Sequence, residues 1–242
     1  MTKAKFDGYA ADYDSWFIAN ENVFLSELKL LKASLEQAGA SSTSADTRIL
    51  SIGCGSGLFE KALADEYNIT VTEGVEPSQD MAAIARKRGM TVQIGTAETT
   101  HLPQDTYDII YFNGSSSYIP DLETAYANTL TALKPGGKLI LLDVPKESAY
   151  GLMYLLAATQ NGYDSPELEG TLPQLPYPIE LAKSAYWHTT EEKSHILTDR
   201  LGLHDPTYLQ TLIANPVYTN RSIEEPIDGY TQGGYIAITA TK

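Results

Sequence analysis

Glycine occupies every second position of Gly53-Cys54-Gly55-Ser56-Gly57, directly after the strand-like run 48–52. Without a β-carbon the backbone can take positive φ, and a ligand can approach the main chain closely. The stretch that follows, Leu58 to Tyr67, reads as a helix, and its first free N–H groups would aim at the same place. A carboxylate, Glu76, ends the next apolar stretch, Ile69 to Val75. It stands about 20 residues beyond the glycines, the separation at which nucleotide-binding units set an acid on the ribose hydroxyls. Together these residues predict a site for a nucleoside-bearing cofactor. Taken singly, the loop also fits an ordinary tight turn, and Glu76 a solvated carboxylate at a strand end.

Which cofactor depends on the spacing. The dinucleotide fingerprint is G-x-G-x-x-G, whereas here Leu58 stands where its third glycine would be. The loop is accompanied by Glu76-Pro77-Ser78-Gln79-Asp80-Met81, Gly95-Thr96-Ala97-Glu98 with Leu102-Pro103, Tyr107-Asp108-Ile109-Ile110, and Leu133-Lys134-Pro135-Gly136-Gly137-Lys138-Leu139. In order and spacing this set resembles the class I S-adenosylmethionine-dependent methyltransferases, over about residues 6 to 144. The N-terminal run Tyr9-Ala10-Ala11-Asp12-Tyr13-Asp14-Ser15-Trp16 is similar to the Tyr-x-x-x-Tyr-Asp-x-Trp stretch of the small-molecule members.

The resemblance implies a set of roles. Gly53, Cys54, Gly55 and Gly57 would pass under the amino-acid end and ribose of S-adenosylmethionine. Glu76, beside Pro77, would accept from both ribose hydroxyls, since a carboxylate is acceptor-only and has two oxygens. Met81 would lie against the adenine, with a core helix position as the alternative. Ala97 and Glu98 would border the adenine edge. Relatives commonly carry aspartate where Thr96 stands, and a hydroxyl accepts more weakly. Asn113 and Gly114 would sit under the methionine part, with Ser115 to Ser117 able to reach a ligand or to cap a helix. Tyr9, Tyr13 and Trp16 would fold over the cofactor as a lid; the alternative is an aromatic helix docked on the core. S-adenosylhomocysteine would be the product. Tyr13 and His188 are the candidate proton-transfer groups, His188 fitting a structural histidine as well.

The elements around these residues follow from periodicity. Val23, Phe24, Leu28, Leu31 and Leu35 mark a helix over 22–37. From Arg48 strand and helix patterns alternate: 48–52, 58–67, 69–75, 78–89, 91–94, 107–112, 121–133 and 138–144. Such alternation predicts an α/β, Rossmann-like, doubly wound and mostly parallel sheet with helices on both faces. Lys134-Pro135-Gly136-Gly137 reads as a break between helix and strand. Leu139 to Val144 is apolar apart from Asp143, as a strand buried on both faces would be. Further on, 149–158 reads as a helix, and 162–178, with four prolines, as irregular. Thr189 and Glu192 form a capping box for a helix that stops at Gly202, and 207–213 and 234–241 complete a seven-stranded sheet. The expected organisation is a single domain over 1–242: a helical lid to 38, a cofactor core over 47–144, an α-helical insertion and helix over 145–205, and final strands from 206. The segment 145–188 is expected to form most of the acceptor pocket; its aromatics would otherwise serve a structural cap or a dimer contact.

Composition narrows the classes. A chain of 242 residues that is 43% hydrophobic can bury one sizeable core. A net charge of −14 argues against a nucleic-acid partner. The basic run Arg86-Lys87-Arg88 is expected to be a solvated helix end. One cysteine excludes an internal disulfide and fits a reducing compartment. No apolar run reaches the ~20 residues that span a bilayer, and Met1 to Asp14 is too polar for a signal peptide. His101, His188, His195 and His204 show no metal-ligand spacing. These features predict a cytoplasmic protein without metal, nucleic acid or membrane, and the resemblance implies that it methylates a small molecule, as a monomer or homodimer. The alternatives are a nicotinamide-dependent oxidoreductase and a non-catalytic cofactor-binding regulator.

Overall fold

Strands of the central region carry apolar residues at odd and even positions alike, so each needs cover on both faces. The computed structural model describes residues 4–41, 46–148, 151, 152, 155, 188–212 and 222–242. It opens with helices α1 (Ala10–Ala19) and α2 (Glu21–Gln37). There follow β1 (Ile49–Ile52), α3 (Leu58–Tyr67), β2 (Glu73–Glu76), α4 (Gln79–Lys87) and β3 (Thr91–Ile94). Next are β4 (Tyr107–Asn113), α5 (Leu122–Ala132) and β5 (Leu133–Asp143). Helix α6 (Thr190–His195) continues into a π turn (Ile196–Arg200), before β6 (His204–Thr211), β7 (Ile227–Asp228) and β8 (Tyr235–Thr241).

The sheet order is β3-β2-β1-β4-β5-β8-β6-β7. The pairs from β3 through β5 are parallel; β8 runs antiparallel against both β5 and β6, and β7 antiparallel to β6. This is the expected Rossmann-like α/β fold. The seven expected strands are present, and two-residue β7 adds an eighth at the edge. One apolar layer holds Leu50, Ile52, Ile110, Phe112, Leu139 and Leu141 under α5 and the turn after α6. The other holds Ile49, Ile109, Tyr111, Ile140 and Leu142 under α2 and α3. Period-two alternation of one strand set thus serves two helical layers.

Local chemistry sets the helix ends. Ser78 and Asp121 cap α4 and α5 through side-chain bonds from Met81 N and Thr124 N. Thr189 and Glu192 form the expected reciprocal capping box on α6, and Gly202 follows at φ +73°. Three expectations change. The strand expected over 69–75 is confined to Glu73–Glu76. Lys134 to Gly137 belongs to β5 as an irregularity, because Gly136 N donates to Lys242 O and Lys242 N to Gly137 O. The β4 ladder accordingly jumps from Tyr107–Leu133 to Ile109–Lys138. Arg88, expected to be solvated, is drawn into a partly buried ion pair with Asp14 of α1. The expected helix 149–158 lies almost wholly outside the described residues. So do the proline-rich stretch 162–178 and Tyr150, Tyr154, Tyr163, Tyr177, Tyr186 and Trp187. No helix among the described residues is long and apolar enough to cross a membrane.

Candidate functional site

The strand order reverses between β1 and β4, and in such sheets the ligand crevice lies outside the carboxyl ends of the strands at that point. A cavity of about 280 Å³ occupies this place. Its walls include the last residues of β1, β2, β4 and β5: Ile52, Glu76, Asn113 and Asp143. Antiparallel β8 brings its first residue, Tyr235, to the same edge. Three strand spacings separate β2 from β5, so the site is a trough about 14 Å long across the sheet.

Glu76 anchors one end. It is 5% exposed. Its Oε2 accepts from Gly55 N at 2.9 Å and its Oε1 from Ser78 N at 2.8 Å. Each oxygen keeps lone-pair capacity for a further donor. Burial pushes its carboxyl up to about 7, against the opposing pull of those two amide bonds. The glycine loop is pinned to β2 by bonds from Gly53 N and Cys54 N to Val75 O. Gly55 lies on the cavity wall at φ +56°, and a β-carbon built there meets no protein atom within 4 Å. The space it would enter belongs to the cavity. Pro77, Met81, Thr96, Ala97 and Glu98 extend this end, and Gly53, Asn113 and Gly114 form its middle. Thr96 Oγ1 is paired with Thr99 Oγ1 at 2.9 Å. Of the serines after Gly114, Ser115 bonds Ile52 O and Ser117 bonds Asp143.

The N-terminal segment covers the trough. Ser78 Oγ donates to Asp7, Gly8 N to Asp80, and Ser56 Oγ to Asp14 at 2.5 Å. Arg88 bridges Asp14 and the carbonyl of Ser56. Asp14, the acid of the Tyr-Asp-x-Trp run, therefore ties α1 to the glycine loop and to the end of α4. Phe6, Tyr13, Trp16 and Phe17 line the cavity and pack edge to face: Phe6 with Tyr118 at 5.1 Å, Tyr13 with Phe17 at 5.0 Å, Phe17 with Phe59 at 5.2 Å.

Four of the expected site residues are not on the cavity wall. Tyr9 is 38% exposed at the start of α1. Cys54 turns behind the loop into an apolar cluster with Ala82, Ala85 and Met90. Gly57 is needed for packing: a β-carbon there would come within 2.8 Å of Met90 Sδ. His188 lies beside Glu192 at the start of α6, Nδ1 to Oε2 being 3.6 Å, with burial lowering its pKa.

Comparison with known proteins assigns this arrangement. The family model described as "Methyltransferase domain" matches residues 20–196. The chain belongs to the class I S-adenosylmethionine-dependent methyltransferases. A crystal structure from Thermotoga maritima, described as a methyltransferase of this dependence and a possible histamine N-methyltransferase, is similar over 98% of both chains, with 30% identity and a TM-score of 0.76. An uncharacterised protein of Methanocaldococcus jannaschii is 28% identical over 98% of each chain. The Haemonchus contortus phosphoethanolamine N-methyltransferase 2, solved with S-adenosylmethionine, shares the fold at 16% identity and a TM-score of 0.56, covering 87% of this chain and 51% of that one. S-adenosylmethionine is thus the methyltransferase's cofactor. The site suits it: a buried two-oxygen acceptor, a side-chain-free loop and a flanking apolar slot occur in one trough.

At the far end the site of this methyltransferase contains residues that periodicity alone did not single out. Glu27, Tyr118, Asp143 and Tyr235 all line the cavity. Asp143 accepts from Lys193, Ser117 and Val144 N, each at 2.8 Å. Tyr235 donates to Asn113 Oδ1 at 2.9 Å. Two sequence signals could have found the acids. Glu27 stands at the i+4 position between Val23 and Leu31, on the apolar stripe of α2, and Asp143 interrupts an otherwise apolar strand.

Proposed function

We propose that this methyltransferase acts on a small-molecule acceptor bound in the trough between the glycine loop and the aromatic residues of α1. The observation that carries the reading is the cavity in which Glu76 and Gly55 stand at one end and Glu27, Asp143 and Tyr235 at the other. Its size, about 280 Å³, is close to the lower end of small-molecule sites. When bound, S-adenosylmethionine supplies an electrophilic methyl group on a sulfonium. Glu76 is the acceptor for the ribose hydroxyls, with Pro77, Met81, Thr96, Ala97 and Glu98 along the base and Gly53, Asn113 and Gly114 under the amino-acid part. Tyr13 and Trp16 exclude water and hold the acceptor, since in-line displacement depends on orientation and on a dry site. The Thermotoga relative's description as a possible histamine N-methyltransferase supports a small acceptor. We place the protein in the cytoplasm, as a monomer or homodimer; its one cysteine, Cys54, is buried and unpaired.

Calorimetry with S-adenosylmethionine, S-adenosylhomocysteine and NAD tests the donor half, and a screen of small acceptors for isotopic methyl incorporation tests the other. Binding of the first two ligands and not of NAD, followed by labelling of a small molecule, is expected. Tight S-adenosylhomocysteine binding with labelling of only protein or nucleic acid would sink the small-molecule reading.

A further inference from the structure

Glu27 is a carboxyl group with no structural partner among the described residues. It sits on α2 beside buried Val23, Leu30 and Leu31, and lines the cavity. Among the described residues no hydrogen bond or ion pair reaches it. The neighbouring acid differs: Asp143 is compensated by Lys193, Ser117 and the Val144 amide. Rings of Tyr13, Phe17 and Tyr118 line the same cavity. A carboxylate facing such walls is costly to the free protein. A cation entering the cavity removes that cost, and aromatic faces attract the same cation.

We infer that Glu27 receives the amino group of the methyl acceptor, which is therefore a primary or secondary amine rather than an alcohol or a carboxylate. This deepens the proposed function and rests on it.

The proton inventory agrees. An amine enters from water as an ammonium and has no lone pair to give. An ordinary carboxylate lies roughly six pH units below an ammonium in pKa, too far to share its proton well. Burial, with the charge of Asp143 second, pushes Glu27 up to about 8 in the free protein, so its carboxylate is a stronger base than an exposed one and the gap to the ammonium is narrowed. One proton passes from the ammonium to the Glu27 carboxylate. The freed nitrogen lone pair then forms the N–C bond as the C–S bond breaks, its electron pair returning to sulfur. Sulfur loses its positive charge, nitrogen gains it, and the proton on Glu27 leaves for water with product release. The groups facing Glu27 are Tyr13 from α1, Asp143 from β5 and Tyr235 from β8. Burial holds both phenols well above their usual range, and Asp143 is paired with Lys193 at 2.8 Å.

The test is calorimetry on protein saturated with S-adenosylhomocysteine, at pH 7, in two buffers of different ionisation enthalpy. The probes are primary and secondary alkyl and arylalkyl amines, with the alcohols and carboxylates of the same skeletons. Amines are expected to bind in preference and to release protons on binding, because Glu27 must ionise. Glu27→Gln should weaken the amines by at least about tenfold and abolish the proton release. Its S-adenosylhomocysteine affinity should stay within about twofold, since no contact of Glu76 is touched. A folded Glu27→Gln protein with full amine affinity or undiminished proton release overturns the inference. So does preference for the alcohols or carboxylates, or the absence of any amine binding by the saturated protein. If the parent fails to bind S-adenosylhomocysteine at all, the donor reading fails first and the inference falls with it.

Discussion

Glu76 accepts one amide from the glycine loop and one from the start of α4, so it shapes the site as well as facing it. Removing its charge-assisted bonds should lower S-adenosylhomocysteine affinity by about 2 kcal/mol or more in Glu76→Ala. Glu76→Gln, with one carbonyl oxygen left to accept, should lose less. Affinity equal to the parent's in both variants would remove Glu76 from the ribose. The pH dependence has a definite sign. The carboxyl is pushed up to about 7 in the free protein, and ribose hydroxyls donate best to its ionised form. Affinity should therefore be flat above about pH 7 and fall by up to about tenfold per unit below it. A titration series from pH 5.5 to 8.5 would check this, and the dependence should vanish in Glu76→Gln. At this scale the Glu76 end of the cavity was legible because its residues keep a fixed spacing around the loop. The Glu27 end was not. Glu27 and Asp143 become neighbours only through β5, β8 and the helix laid over them, and no sequence spacing links positions 27 and 143.

Among the elements, α1 and the segment before it are tied beside the trough through few bonds. Asp14 receives both Ser56 and Arg88, and Asp7 and Asp80 add one bond each to the segment before the helix. Asp14→Ala should leave Arg88 without its acid and loosen residues 4–19. Faster amide exchange there, restored in part by S-adenosylhomocysteine, is expected by hydrogen-exchange mass spectrometry. If ligand leaves the exchange of these residues unchanged in the parent, α1 is fixed structure and not a moving cover. The order and type of the elements over 48–144 were legible, and for several the bounds as well, where a periodic apolar set ends in a cap or glycine. Leu58–Tyr67 and 107–113 are examples. The strand expected over 69–75 was placed too early and covers only Glu73–Glu76. Lys134 to Gly137 misled because glycine and proline mark breaks in a single chain segment, whereas the backbone of Lys242 supplies the partner that keeps this one in the sheet. Arg88 misled for the same reason: a cation after a helix satisfies the dipole, and the distant Asp14 that recruits it is invisible to local pattern.

For the whole molecule, the parallel strands put Glu76, Asn113 and Asp143 at one edge, and the strand order spaces them along it. Ligand binding should then stabilise the fold as a unit. At 100 times its dissociation constant a ligand confined to the native state adds about 2.7 kcal/mol. A domain of this size moves by about 2–4 °C per kcal/mol, so S-adenosylhomocysteine should raise the midpoint of thermal unfolding by about 5–10 °C. Gly55→Val separates site from scaffold. A β-carbon at this position meets no protein atom, and φ is +56°, so the variant carries backbone strain and a side chain in the space the ligand needs. It should unfold somewhat below the parent and show no ligand shift, while keeping the parent's circular dichroism. A folded variant with the full shift would mean that the loop is only a turn, and that the cofactor passes elsewhere along the edge.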